Sequence, residues 1–116
     1  MSKPFDLEER TYLFARDCRF YVQKLPKTIS NIEDGKQVIR SSGSVGANYI
    51  EANEKLGDKD LSFRLKIARK EAKESKYWLR LLQELNPDFE ITSKELIFES
   101  EELRKILSAI ISKTTK

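Results

Sequence analysis

Hydrophobic side chains recur along this chain at spacings of three and four residues, in four segments separated by short polar links. That spacing matches the turn of an α-helix, so each segment is predicted to form an amphipathic helix with one buried face. No segment shows the alternation of apolar and polar residues that is typical of a β-strand. The four predicted helices cover about residues 6–25, 32–56, 59–85 and 93–112.

The ends of these segments carry residues that start and stop helices. Pro26 cannot continue the first helix, and Gly57 is typical of the end of the second. Thr92 with Glu95 matches a capping box, which predicts the start of the fourth helix. Because the links are short, consecutive helices are expected to be antiparallel. The sequence therefore predicts an all-α fold, an antiparallel up-down-up-down four-helix bundle, with residues 1–116 as a single domain.

The apolar stripe of each predicted helix is assigned to the core of the bundle. The stripe of the third helix is the most regular. In the first helix, the small side chain of Cys18 also falls on the stripe. The predicted core positions are Leu7, Thr11, Phe14, Cys18, Tyr21, Leu25, Val38, Ser42, Val45, Tyr49, Ala52, Leu56, Leu61, Leu65, Ala68, Ala72, Ser75, Leu79, Leu82, Leu96, Leu103, Ile106, Leu107 and Ile110.

The composition rules out several kinds of catalytic and metal site. The chain has one cysteine and no histidine among its 116 residues. Di-iron bundles need Glu-x-x-His pairs, zinc sites need Cys/His clusters, and Ser-His or Cys-His catalysis needs an imidazole. Cys18 lies on the core stripe and is interpreted as a small buried side chain. We therefore expect no catalytic residue, no metal and no cofactor, and a protein that is not an enzyme.

The setting of the protein is predicted from the same composition. A lone cysteine cannot form an internal disulfide, which favours a reducing cytoplasm. No apolar run approaches the roughly 18 residues that span a membrane, so no membrane association is expected. The net charge is only +3, so the positions of the charges matter more than their sum.

The stretch from Arg40 to Glu54 places two glycines among serines and has two interpretations. As a loop it could cradle a phosphate, but the P-loop pattern needs a Lys-Ser or Lys-Thr pair, and this stretch has neither. As part of the second helix, Gly43, Gly46 and Ala47 form a shallow groove where a neighbouring helix can approach closely. We favour the groove and predict that it contributes to an oligomer interface.

Another side of the second helix is polar. It can face solvent, or it can pack against another helix as a seam in which every member finds a hydrogen-bond partner. Serine is a weaker helix former than glutamate or lysine, so the packed seam is at least as well supported as solvent exposure. The polar seam comprises Gln37, Ser41, Ser44, Asn48 and Glu51.

The third helix carries a second apolar set on the side opposite its core stripe. An exposed patch with aromatic members is typical of a protein–protein interface, so we predict self-association through it. The alternative is that this helix is central and is covered on both sides by the other helices of its own chain. The second apolar face comprises Phe63, Ile67, Trp78 and Leu81.

Between the two apolar faces of the third helix lies a row of basic side chains. Residues 59–85 carry eight basic and four acidic side chains, a net charge of +4, whereas residues 86–116 carry a net charge of −1. The row predicts contacts with the phosphate backbone of a nucleic acid, without base-specific readout. The alternative is an ordinary solvated face with ion pairs such as Lys70–Glu74. The basic stripe comprises Lys66, Arg69, Lys70, Lys73, Lys76 and Arg80.

Two motifs resemble one known family. In the second helix, the pattern Gln37-x-x-Arg40-Ser-x-x-Ser44-Val-x-x-Asn48-x-x-Glu51 resembles the signature of the bacterial four-helix bundle proteins encoded in intervening sequences of 23S ribosomal RNA genes. The run from Phe63 to Leu82 in the third helix is also similar to members of that family. The resemblance covers about residues 10–112.

This resemblance implies an antiparallel four-helix bundle that assembles into a ring-like homopentamer. Many members have proline in place of Gly46 and glycine in place of Ala52, which favours a continuous helix here and leaves the implied fold unchanged. A relative of the family, the accessory protein of diversity-generating retroelements, is a basic pentamer that works with a reverse transcriptase and nucleic acid. This chain is less basic than that relative, and no catalytic residue is carried over.

Two functions follow as expectations. The first is a homo-oligomer that binds structured RNA, or DNA, through the basic stripe. The second is a scaffold that binds another protein and has no role with nucleic acid. A continuous positive face would favour the first function, and a mixed-charge outer surface would favour the second.

Overall fold

The computed structural model describes residues 6–54 and 56–114. The described residues form four α-helices and no strand, which confirms the all-α class and the four-helix bundle. Lys55, which the predicted second helix included, lies outside the described residues. The elements are α1 (Leu7–Lys24), α2 (Ile29–Asn53), α3 (Asp58–Leu85), a short 3-10 helix (Pro87–Phe89) and α4 (Glu90–Thr114).

Side-chain caps set where α1 and α2 begin. The Asp6 carboxylate accepts a hydrogen bond from the backbone N–H of Glu9 at 3.2 Å. Thr28 Oγ1 accepts from the backbone N–H of Asn31 at 3.1 Å. Because this cap satisfies an N–H group that the helix leaves unpaired, α2 begins at Ile29, before the predicted start at Ile32.

The start of α4 differs from the prediction. The helix begins at Glu90, directly after the 3-10 turn of Pro87–Phe89, and not at Ser93. Proline is well suited to the first position of a helical turn, so the chain re-enters helical structure as soon as α3 has ended. Thr92 consequently lies inside the first turn of α4, and the predicted capping box with Glu95 is wrong.

The core forms at the predicted stripes, with one exception. Leu56 is 94% exposed because α2 ends before it. Ser93 and Ser100 are buried although they were not predicted, and each donates its hydroxyl to a backbone carbonyl of its own helix, which satisfies it away from water. The predicted positions that are buried are Leu7, Thr11, Phe14, Cys18, Tyr21, Leu25, Val38, Ser42, Val45, Ala52, Leu65, Ala68, Ala72, Ser75, Leu79, Leu82, Leu96, Leu103 and Leu107, and Tyr49, Leu61, Ile106 and Ile110 pack against them.

Helix α3 is the best-packed helix of the bundle. It makes extensive contacts with α2 on one side and with α4 on the other. Helix α1 packs against α2 and more lightly against α4, and within the described residues none of its Cα atoms lies within 8 Å of one in α3. Helices α1 and α3 therefore lie diagonally across the bundle, and α3 turns its remaining side outward.

Candidate nucleic-acid interface

The basic stripe of α3 divides into two parts. Side chains spaced by three and four residues share one side of a helix, so the stripe runs along α3. The position of each basic side chain relative to α4 decides how far that side chain is exposed. The outer cations, which are exposed, are Lys66, Lys70, Lys73 and Arg80, and the α4-facing cations, which are partly buried, are Arg69 and Lys76.

Both α4-facing cations contact α4. Arg69 donates from Nη1 to Ser108 Oγ at 3.4 Å, and Lys76 Nζ lies 3.4 Å from Glu101 Oε1. Glu101 also pairs with Arg104, whose Nη2 is 2.6 Å from Oε2. The hydrogen bond from Arg104, with the charge of Lys76, lowers the pKa of Glu101 from 4.5 to about 2, so this carboxylate stays ionised. Lys76 and Arg104 therefore share one carboxylate, and the three side chains together keep a net positive charge.

The outer cations keep most of their charge unpaired. Lys70 Nζ lies 4.0 Å from Glu74, which is the limit of an ion pair. Within the described residues, no carboxylate lies within 4.0 Å of Lys66, Lys73 or Arg80. These three side chains are available to a ligand without first breaking an ion pair.

Two shallow grooves meet at Tyr77, a residue that the sequence interpretation did not select. One groove, of about 390 Å³, lies between α3 and α4, and the other, of about 330 Å³, runs along α3. A signal was present in the sequence, since Tyr77 lies at helical spacing between Lys73 and Arg80. The first groove is lined by Lys73, Lys76, Tyr77, Arg80, Glu101 and Arg104, and the second by Lys66, Arg69, Lys70, Lys73, Glu74 and Tyr77.

The middle of the polar seam of α2 lies at the contact with α3. The hydroxyl oxygens of Ser41 and Ser75 are 2.8 Å apart, and both side chains are fully buried. Asn48 donates to Ser44 Oγ at 2.9 Å and accepts from Arg64 of α3 at 3.3 Å. These hydrogen bonds give the seam a structural role between two helices.

The two ends of the seam are placed differently. Glu51 is exposed, and Gln37 is partly buried with its side-chain oxygen 3.5 Å from Arg40 Nε. Arg40 in turn reaches across to α3, where it lies 3.1 Å from Glu74 and 3.5 Å from the buried Glu71. The α2 motif from Gln37 to Glu51 thus supplies Arg40 to an ion pair that joins α2 to α3.

The glycines of α2 face helix α1 of the same chain. A Cβ atom at Gly46 would lie 2.8 Å from Thr11 Oγ1 and 3.2 Å from Thr11 Cβ, so only glycine fits this approach. A Cβ atom at Gly43 would lie 3.2 Å from the guanidinium of Arg19. Ala47 is exposed and lines a groove of about 400 Å³ between the two helices. The close approach is made by α1, and a further role of these residues in an oligomer stays a prediction.

The second apolar face of α3 does not form one uniform surface. Phe63 and Leu81 are exposed. Ile67 is partly buried and lies one turn before Glu71, on the side of α3 that faces α2. Trp78 is also partly buried and packs against the core, so the expectation that it projects away from the core is wrong. Helices α2 and α4 together bury a wider arc of α3 than the single core stripe that the sequence predicts.

The single thiol, the potential metal ligands and the hydropathy of the helices bear on other kinds of site. Cys18 is fully buried, and burial raises the pKa of its thiol from 9.0 to about 12, so the reactive thiolate does not form near neutral pH. In the part of the chain that the structure describes, no cluster of three or more potential metal ligands occurs. None of the helices described there has the length and hydropathy to cross a membrane.

Comparison with known proteins relates the chain to one family. The sequence model of the family described as 23S rRNA-intervening sequence protein matches residues 5–109. A crystal structure from Bacteroides thetaiotaomicron VPI-5482, of a protein with unknown function from the S23 ribosomal protein family, is similar with a TM-score of 0.77. The two sequences are 31% identical, and the match covers 90% of this chain and 97% of that chain. The comparison with curated proteins gave no match.

Proposed function

The chain belongs to the 23S rRNA-intervening sequence protein family, and from this premise we propose that it binds structured RNA through the basic stripe of α3, without catalysing a reaction. The observation that carries the proposal is the set of three exposed cations with no carboxylate within 4.0 Å among the described residues, Lys66, Lys73 and Arg80. The names of this family and of the similar protein's family both refer to the ribosome, which makes RNA the first nucleic acid to test.

The geometry of α3 suits a phosphate backbone. Lys66 and Arg80 are separated by about 21 Å along the helix axis, given a rise of about 1.5 Å per residue. Long cationic side chains along that distance can reach several phosphates of one strand, and each contact releases condensed counterions. Contacts of this kind position an RNA without reading its sequence, so the proposed binding is tolerant of sequence.

The direct test is binding of a fluorescently labelled RNA stem-loop, measured by anisotropy at about 50 mM and about 200 mM salt. The wild-type protein is compared with the triple variant Lys66→Gln, Lys73→Gln, Arg80→Gln. We expect the variant to bind at least about tenfold more weakly at the lower salt. Its salt slope should be shallower by about two to three, since each phosphate contact contributes roughly 0.7–0.9.

A matched control removes three other exposed cations that do not lie on α3. The control carries Lys24→Gln, Lys27→Gln and Lys36→Gln, which lie on α1, its following link and α2. It has the same net charge as the stripe variant and should keep wild-type affinity. Equal losses in both triple variants, or no binding of wild-type protein at the lower salt, overturn the proposal. The second result leaves a protein-binding scaffold as the function to test.

We further propose that the chain forms a homo-oligomer in which Phe63 and Leu81 are interface residues. Phe63 is 59% exposed, and large exposed aromatic side chains are enriched where proteins associate. The family resemblance implies a pentamer, which light scattering would detect as a particle of about five times the 13.5 kDa chain. A stable monomer at micromolar concentration contradicts the proposal.

Variants at the exposed positions test this interface better than a change at Trp78. Trp78 packs against the core, so a charge there would disturb folding as well as assembly. Phe63→Glu and Leu81→Glu place the charge at solvent-accessible positions and should reduce the particle mass with unchanged helicity. Ile91→Glu, at another exposed apolar position on α4, is the control and should leave the mass unchanged.

A further inference from the structure

Tyr77 is an exposed aromatic side chain in the middle of the basic stripe. Its side chain is 56% exposed, and Lys73 and Arg80 lie about one turn away on either side. Two grooves of about 390 and 330 Å³ share Tyr77 and Lys73 as lining residues. A strand whose phosphates contact these cations would therefore bring its bases close to the ring.

The Tyr77 ring packs against the ring of the adjacent Trp78. Its centroid lies 5.0 Å from that of Trp78 with an interplanar angle of 82°, an edge-to-face contact. Trp78 is itself partly buried against the core, so the contact rests on an ordered part of the bundle. A ring that is already held in place loses little conformational freedom when a ligand stacks on it.

Tyr77 differs in its surroundings from two other exposed aromatic residues, Phe20 and Phe63. The guanidinium of Arg16 lies over the ring of Phe20 at 5.6 Å, and that of Arg64 over Phe63 at 6.0 Å. Within the described residues, no cation of the same chain lies over the Tyr77 ring. The ring has two faces, and the contact with Trp78 occupies at most one of them, so a face of this exposed ring is available to another planar group.

We propose that Tyr77 stacks on an unpaired nucleobase, so that this surface binds single-stranded segments of a nucleic acid in preference to a closed duplex. This inference rests on the proposed function of the basic stripe. Base–aromatic stacking is tolerant of sequence because every base has a π-face. The proposed phosphate contacts of the basic stripe are tolerant of sequence as well, so the two kinds of contact are compatible. The bases of a closed duplex are already stacked on one another and cannot reach the ring without being unpaired.

The experiment uses three labelled ligands and the full-length protein. The first is a 12-nucleotide RNA (about the length of one binding site) that cannot pair with itself. The second has the same backbone with abasic positions, and the third is the blunt duplex of the first. Each is titrated by anisotropy with wild type, Tyr77→Leu and Tyr77→Phe. Tyr12→Leu, a change of the same residue type on α1, is the matched control.

The expected result is selective for the base. Tyr77→Leu should weaken binding of the single strand by about 5- to 100-fold, and should change binding of the abasic strand and the duplex by less than about twofold. Tyr77→Phe keeps the ring and should retain wild-type affinity, as should Tyr12→Leu. The inference is overturned if Tyr77→Leu weakens binding of all three ligands equally, or if it does not weaken binding of the single strand. The proposed function stands in either case.

A second measurement needs no variant at Tyr77. Trp78 is the only tryptophan of the chain, and its ring contacts that of Tyr77, so its fluorescence reports on this site. The single strand should change the emission of Trp78 and the abasic strand should not. The same response to both ligands contradicts stacking. Wild-type protein that binds none of the three ligands at about 50 mM salt overturns the proposed function, and the inference with it.

Discussion

Asn31 and Asn86 form a reciprocal pair of amide hydrogen bonds, although they are 55 positions apart in the chain. Each Nδ2 donates to the other residue's Oδ1 at 2.8 Å. The remaining amide hydrogens go to the carbonyls of Pro26 at 2.9 Å and of Leu82 at 2.7 Å. Both side chains are buried, so all of their N–H donors are satisfied away from water. The pair ties the first turn of α2, and through the Pro26 carbonyl the link before it, to the residue that ends α3.

Replacing either partner of this pair should destabilise the bundle. Asn31→Ala or Asn86→Ala leaves the other amide buried without its partner, which costs about 1–3 kcal/mol of the free energy of unfolding. The double variant should lose less than the sum of the single changes, with a coupling of about 0.5–3 kcal/mol. Urea denaturation of the four proteins measures each value.

An exposed asparagine provides the control for this cycle. Asn53→Ala lies at the exposed end of α2 and should change the free energy of unfolding by no more than about 0.5 kcal/mol. If the losses at Asn31 and Asn86 are simply additive, the two amides do not act as a pair.

Gly46 should tolerate no side chain, although alanine favours helix formation by about 1 kcal/mol over glycine. A Cβ atom there would lie 2.8 Å from Thr11 Oγ1, whose hydroxyl is held by a hydrogen bond to the Glu8 carbonyl at 2.9 Å. Overpacking of this kind costs about 1–3 kcal/mol, so Gly46→Ala is expected to be net destabilising in thermal unfolding.

Gly43 supplies the matched comparison on the same helix. A Cβ atom there would lie 3.2 Å from Arg19 Nη2, the far end of a long side chain, which need shift only slightly although it donates to the Ile39 carbonyl at 3.3 Å. Gly43→Ala should therefore be less destabilising than the same change at Gly46, and it gains the helix propensity of alanine. The reverse order of stability would contradict the close approach of α1 at Gly46.

Helical periodicity predicted much of the fold because it reports which side of each helix is buried. Leu65, Ala68 and Leu79 follow the spacing of one stripe, and all are buried. Trp78 was misplaced because a helical wheel gives the angle of a side chain but not the number of neighbouring helices that cover it. The early end of α2, which exposes Leu56, likewise depends on the turn that follows and not on the apolar pattern.

The candidate site was only partly predictable for a related reason. The cations of α3 and the pair Lys70–Glu74 within that helix could be identified from their spacing, but the ion pairs with other helices could not. Glu101 of α4 reaches Lys76, and Arg40 of α2 reaches Glu74, only once the helices are packed. Tyr77 carries a local signal in the sequence, namely its position at helical spacing among basic residues.

Cys18 should be inert towards thiol reagents in the folded protein. The side chain is fully buried, and burial raises the pKa of its thiol to about 12, so the thiolate is scarce at pH 8. A disulfide reagent should modify it at the rate at which the bundle opens, and rapidly in denaturant. The comparison is a double variant that carries both Cys18→Ala and Ser30→Cys. Its single thiol lies at an exposed position and should react at once. Rapid modification of wild-type protein with unchanged helicity would refute the burial of Cys18.

The Glu101 ion pair should give the bundle a measurable dependence on acid. Arg104 lowers the pKa of Glu101 from its ordinary 4.5 to about 2, so the folded state holds the ionised form more strongly than the unfolded state does. The stabilisation is full above about pH 5 and is lost as the pH falls from 4.5 towards 2. The difference in free energy of unfolding between wild type and Glu101→Gln should therefore shrink over that range. A difference that is constant from pH 6 to pH 2.5 contradicts the pairing.

The same substitution should strengthen binding of RNA if the basic stripe is the binding site. Glu101 neutralises part of the charge of Lys76 and Arg104, and Glu101→Gln releases both cations to a phosphate. We expect affinity at about 50 mM salt to rise by about two- to fivefold, and the salt slope to steepen. Glu33→Gln, which frees Lys36 of α2, makes the same change in net charge away from the stripe and should leave affinity unchanged. Equal gains from both substitutions would mean that overall charge, and not this groove, controls binding.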